Sequence, residues 1–150
     1  MISASLNTPV GALSVTESGG AIVRLAWSAD GTGRTALLEQ ALDQLRAYFA
    51  GELTEFDLPL QVEGSDFQRA VCEAMLAIPF GETRTYGEIA KDLRAPPQPV
   101  GNACGSNPIP VIIPCHRVLA ATGLGGFSGQ GGVETKVALL KHEGAASLLI

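Results

Sequence analysis

The apolar positions along the chain follow two rhythms. Residues 1–28 hold short, loosely alternating runs, "GALSVTES" and "AIVRLAWS", broken at Gly19-Gly20. They predict strands of a small antiparallel sheet. Leu37, Leu38, Ala41, Leu42, Leu45, Tyr48 and Phe49 then recur at helical spacing, and Gly51 is placed to end that helix. After the connection "LPLQVEG" the pattern is helical and its boundaries are better marked. Ser65-Asp66-Phe67-Gln68 predicts a capping box, in which Ser and Gln each satisfy the other's free backbone N–H. Phe67, Val71, Ala74, Met75 and Ile78 make one apolar face ending before Pro79, with Cys72 beside it as a small inert hydrophobe. Thr85-Tyr86-Gly87-Glu88 predicts a second capping box, opening a short helix that buries Ile89, Ala90 and Leu93. Tyr86 takes the first helical position, near unpaired N–H groups and a positive dipole end. That place suits a phosphate contact or a half-buried ring.

"RAPPQPVGNACGSNP" follows. Pro96, Pro97 and Pro99 predict a stiff turn, and "VGNACGSN" a second short helix of small side chains. Helix, turn and helix resemble a helix-turn-helix unit. Gly101, Asn102, Ala103, Gly105 and Ser106 reach few base edges in a major groove, but they let a backbone come close. The shallow minor groove and a tightly packed neighbouring helix both suit such a surface.

These rhythms divide the chain into residues 1–62, read as a supporting α/β domain, and 63–150, read as a mostly helical domain. Charge sharpens the division. Up to residue 64, three arginines face eight acids, so the whole net charge of −5 lies there, while seven bases balance seven acids afterwards. Such a balance excludes a protein that coats nucleic acid through bulk charge, but not a neutral module that binds DNA by shape. Trp27 reads as core and the N-terminal acids as a solvated face. No apolar run approaches the roughly 18–20 residues that span a bilayer, and "MISASLNTPVG" does not read as a signal peptide. Cys72, Cys104 and Cys115 form no CxxC pair, which argues against disulfides or zinc and for a reducing cytoplasm.

The chemistry concentrates in "IPVIIPCHRVLAATG", where an apolar run delivers Cys115, His116 and Arg117 in succession. A thiolate is the nucleophilic form, and a nearby imidazole can take the thiol's proton. Along an extended strand, neighbours point to opposite faces, so Cys115 and His116 cooperate only through a turn after Pro114 or a bridging water. The imidazole works better with a carboxylate fixing it. Glu143 is the candidate. It ends the helix of "ETKVALLKHEG", where Lys141, His142 and Gly144 suit a C-terminus and a carboxylate does not, at a cost of roughly 0.3–1 kcal/mol. A residue placed against local preference points to another task.

"NPIPVIIPCHRV", with "TYGEIA" upstream and "HEG" downstream, resembles the O(6)-alkylguanine-DNA alkyltransferases, also called methylated-DNA–protein-cysteine methyltransferases. The resemblance covers residues 65–145, its PCHRV core is highly specific, and the N-terminal part matches in general shape. It implies an α/β (α+β) fold, a ribonuclease H-like N-terminal domain packed on a C-terminal domain with a winged-helix-like helix-turn-helix. It implies direct repair of double-stranded DNA by a monomer that enters the minor groove and flips the damaged guanine, without cofactor, metal, membrane or obligate protein partner. Cys115 would be the acceptor, taking a methyl or larger alkyl group in one irreversible displacement. His116 would activate it through a water, Glu143 would hold His116, and Asn107 would support that network. Tyr86 would press on the phosphate and donate a proton to the leaving guanine. The backbone N–H of Ser128 would face the guanine oxygen, Phe127 would wall the pocket, and the carbonyls of Cys115 and Val118 would accept from the exocyclic amine. Arg117 would brace the fold.

One position departs from that pattern. The resemblance implies an arginine opening the recognition helix, filling the gap left by the flipped base, and this chain has Gln98 there. Gln98 performs a weaker version of the task or Arg94 performs it. Two rival functions stand beside repair. A non-catalytic sensor of alkylated bases would lack the acceptor, whereas Cys115 is present with His, Asn and Glu. A thiol hydrolase would need an oxyanion site, and no pair of donors for one is evident.

Overall fold

A computed structural model describes residues 1–127 and 129–145. The chain forms two compact units, Met1–Val62 and Glu63–Ile150.

In the first unit, β1 (Ile2–Thr8), β2 (Gly11–Ser18) and β3 (Ala21–Ala26) form an antiparallel sheet in sequence order. Ala4 pairs with Val15 and Val15 with Leu25, so the inward positions of all three strands line up. The sheet's apolar face meets α1 (Ala36–Phe49), whose Leu38, Ala41, Leu42, Leu45 and Tyr48 are buried. Thr35 caps α1 by accepting from the Leu38 N–H at 3.0 Å, and Gly51 leaves the helix at φ +78, a left-handed value that costs glycine little. Trp27 donates its indole N–H to the Val10 carbonyl at 3.0 Å. Trp27 is only half-buried, not in the core where its pattern suggested it.

The second unit places α2 (Asp66–Leu76), α3 (Tyr86–Leu93) and α4 (Pro97–Gly105) in mutual contact. A two-residue parallel pair, β4 (Arg84–Thr85) with β5 (Val118–Leu119), ties the start of α3 to the segment after the PCHR motif. Helix α5 (Val133–His142) packs against that motif. The Thr85–Glu88 capping box is complete.

Two local expectations are corrected. Ser65 caps α2, but Gln68 does not return to the Ser65 backbone; its amide donates to the Ala103 carbonyl at 2.9 Å and ties α2 to α4. Pro97 and Pro99 do not form a turn ahead of α4 but lie in its first turn, where a missing N–H leaves no helical bond unmade. The turn before it is short because Arg94 ends α3 in the left-handed conformation at φ 55.

Candidate active site

Residues 109–117 are buried without forming an extended strand. Val111 sits at φ +72, an outlier for a β-branched residue. Asn107 holds this path: its amide donates to the Ile113 carbonyl at 2.8 Å, and its side-chain oxygen accepts from the Ile109 N–H at 3.0 Å. After Pro114 the chain makes one 3-10 turn, Cys115–Arg117. That turn removes the strand geometry that would have sent Cys115 and His116 to opposite faces.

The three residues of the turn are buried, and two of them meet Glu143. His116 Nε2 lies 2.8 Å from Glu143 Oε2. Arg117 donates to both oxygens, Nε to Oε1 at 2.8 Å and Nη2 to Oε2 at 2.9 Å, and its Nη1 to the Ile78 carbonyl at 2.6 Å. Glu143 is thus the C-cap of α5 with a buried cation and imidazole as partners, and these offset the unfavourable dipole at that helix end.

The tautomer follows. A carboxylate beside a guanidinium is ionised and only accepts, so His116 Nε2 carries the hydrogen. His116 Nδ1 is buried with no hydrogen-bond partner among the described residues, and it holds the free lone pair. Burial pulls the His116 pKa below its ordinary 6.5, against the hydrogen bond to Glu143 that raises it. The imidazole is therefore neutral at physiological pH and able to accept a proton. Burial pushes the Cys115 thiol above 9, with the Asn107 amide and the Lys136 charge working the other way. Cys115 rests as a thiol that needs a base.

Cys115 opens onto a cavity of about 340 Å³, lined also by Tyr86, Gly101, Cys104, Gly105, Gly126 and Phe127. This is the low end of small-ligand pockets, enough for one compact planar group. Tyr86 is half-buried at the first position of α3, and burial raises its hydroxyl pKa. Gln98 is exposed in the first turn of α4, Asn102 is exposed on the same helix, and Arg94 is exposed at the end of α3. Ala103 departs from the expected contact surface: it is buried, with its carbonyl taken by Gln68. The Cys115 carbonyl already accepts from the Val118 N–H, and the Val118 carbonyl from Lys136 at 2.7 Å. Any base amine would share an occupied acceptor. Ser128 lies outside the described residues.

Two residues escaped the sequence reading, and a third was read only as a brace. Cys104 lines the cavity, its thiol pushed up to about 12 chiefly by burial. Arg117 is the fixed partner of Glu143. Lys136 is fully buried beside the cavity. A signal for Lys136 existed, since it falls three and four residues before Leu139 and Leu140, on the buried stripe of α5.

A buried thiol, a neutral imidazole and a charge-clamped carboxylate define a thiol-based transfer centre, set beside a helix-turn-helix. Comparison with known proteins places it further. Residues 66–145 match the 6-O-methylguanine DNA methyltransferase, DNA binding domain, and residues 1–62 match the ribonuclease-like domain of the same family. The chain belongs to the 6-O-methylguanine DNA methyltransferase family. It is 44% identical to a methylated-DNA–protein-cysteine methyltransferase of Mycobacterium tuberculosis, over 93% of this chain and 90% of the relative. One from Methanosarcina acetivorans is 51% identical over 71% of this chain and 69% of its own length. Among solved structures, Mycobacterium tuberculosis OGT in complex with DNA superposes with a TM-score of 0.85 at 44% identity, covering 97% of this chain and 94% of that one. An O6-methylguanine DNA methyltransferase from Methanococcus jannaschii gives 0.68 at 29%, covering 94% and 93%.

Proposed function

We propose that this chain repairs alkylated DNA by direct reversal, moving a methyl or alkyl group from guanine O6 irreversibly onto Cys115. The observation that carries this reading is the Cys115 thiol on the cavity wall, one residue before a neutral histidine whose only committed nitrogen faces Glu143. His116 Nδ1 takes the thiol proton through a bridging water. Cys115 Sγ bonds to the alkyl carbon as the carbon–O6 bond breaks. The departing guanine is neutralised by a proton from the Tyr86 hydroxyl at the mouth of the site. Glu143, held by Arg117, keeps His116 in the tautomer that can accept, and Asn107 fixes the path of the chain into Cys115.

Residues 63–150 form the DNA-binding and acceptor domain, and residues 1–62 support it. The helix-turn-helix of α3 and α4 enters the minor groove as a monomer on duplex DNA, with Gly101, Asn102 and Gly105 allowing close approach and Gln98 and Arg94 beside the gap left by the flipped base. Flipping costs a few kcal/mol, less for a poorly paired lesion, which favours the damaged base. The thioether product has no facile reverse step, so each molecule acts once. Cys104, the second thiol in the cavity, stays protonated and does not compete. No cofactor takes part, and the reading implies a cytoplasmic protein.

The test is intact-protein mass after reaction with excess duplex carrying one O(6)-methylguanine. A gain of one methyl, lost in Cys115→Ala and kept in Cys104→Ser, is expected. Lesion binding without any gain would make the chain a sensor and refute transfer.

A further inference from the structure

Lys136 is a charged side chain with no exposed surface, and the chemistry above does not use it. Its ammonium donates to three backbone carbonyls: Val118 at 2.7 Å, Leu124 at 2.5 Å and Gly126 at 3.1 Å. All three donors of the ammonium are thereby used. Two of these carbonyls flank Gly125, and the third begins β5. One side chain of α5 thus gathers the end of the motif strand and the loop that walls the cavity.

The loop in turn bears on Tyr86. Gly125 has φ +71, and a Cβ there would lie 3.0 Å from Tyr86 Cε2, 3.1 Å from its hydroxyl oxygen and 3.3 Å from the Ala120 nitrogen. A side chain there would press on the ring by a few tenths of an ångström and would hold a strained left-handed φ. The Lys136 ammonium itself lies 5.9 Å from the Tyr86 ring centroid. On its other side the ring faces Gly101, whose Cβ would meet Tyr86 Cδ1 at 4.0 Å. Tyr86 is therefore held edgewise between α4 and a loop whose position Lys136 fixes.

We infer that Lys136 is a positioning residue for the transfer: by clamping the carbonyls on both sides of Gly125, it sets where the Tyr86 hydroxyl stands in the cavity. The inference rests on the reading of Tyr86 as proton donor. A displacement of about 1 Å at such a group costs up to ~10²-fold in rate, so the clamp belongs to the reaction as well as to the fold.

A double-mutant cycle tests it, reading the single-turnover rate constant at saturating duplex with one O(6)-methylguanine. Lys136→Met keeps length and removes the donors. Alone it is expected to lower the rate constant about tenfold, with the half-saturating DNA concentration unchanged. In a Tyr86→Phe background the same substitution should cost less than about twofold, because the group it positions is gone. Equal fractional losses in both backgrounds would overturn the inference and leave Lys136 a purely structural residue. Tyr86→Phe alone reports on the donor reading: a parent-like rate there would sink that reading separately. Where Lys136→Met does not fold, Gly125→Ala, which pushes on the Tyr86 ring directly, goes through the same cycle with the same two outcomes.

Discussion

Arg117 and Glu143 form a buried two-point ion pair, with Nε on Oε1 at 2.8 Å and Nη2 on Oε2 at 2.9 Å. His116 meets the same carboxylate at Oε2. The pair keeps the carboxylate ionised inside the protein and leaves it one role toward the imidazole, that of acceptor. The cation needs only to stay in place for the base to be correctly protonated.

Glu143→Gln tests that role. An amide can donate as well as accept, so it no longer dictates which imidazole nitrogen carries the proton. The transfer rate is expected to fall about 10²–10⁴-fold, the range for loss of a placed general base. Rapid-quench kinetics on O(6)-methylguanine duplex measure it, and a rate within twofold of the parent would show that the carboxylate is dispensable.

Arg117→Lys separates bracing from chemistry. Lysine keeps the charge but loses the two-point geometry and the bond to the Ile78 carbonyl. The fold should weaken by about 2–4 kcal/mol in urea titration, since a buried carboxylate loses one of its donors. Unchanged urea stability would contradict the bracing role.

The pH–rate profile carries a signed expectation. Burial places His116 below 6.5, so the neutral base persists at pH 7 and is lost only as pH falls through that lowered value. The rate should be level from pH 8 to 6.5 and decline under more acidic conditions. The Cys115 thiol lies above 9, so attack by a free thiolate would instead give a rate rising about tenfold per pH unit through that range. Stability has the same sign: the unfolded imidazole gains a proton below 6.5 while the folded one stays neutral, so the fold weakens as pH falls from there.

Asn107→Ala removes both bonds that hold the path through Val111, whose positive φ stores strain. The Ile109 N–H loses its partner while the Ile113 carbonyl keeps the Cys115 N–H at 2.8 Å, for a loss of about 1–3 kcal/mol. The thiol also loses the neighbouring amide that favours its anion. Denaturant midpoints and alkylation of Cys115 by iodoacetamide should fall together; a midpoint drop with unchanged thiol reactivity would limit Asn107 to the fold.

Gln98→Arg places a charge at the exposed start of α4. The transfer rate or DNA affinity should rise, and the dependence of affinity on log salt should steepen by about one. No change in any of the three would remove Gln98 from the DNA contact.

The sequence by itself determined the elements. The strands before Ala26, the helix closed by Gly51 and the Thr85–Glu88 cap depend on alternation, 3.6-residue spacing and capping, all local properties of the chain. The motif around Cys115 and the misplaced acid at Glu143 were equally legible, because both are departures from local preference. That Glu143 holds His116 was legible too; that Arg117 clamps the same carboxylate was not, because it lies 26 residues away and only a 3-10 turn packed on α5 joins them. The return of Gln68 to α4 instead of its own N-cap was decided by a carbonyl on another helix. Lys136 shows the limit most plainly. Its spacing puts it on the buried stripe of α5, yet the burial of a lysine there makes sense only once three carbonyls from outside that helix converge on its ammonium. A charge can be buried only where partners already wait, and that convergence is a property of the tertiary structure alone.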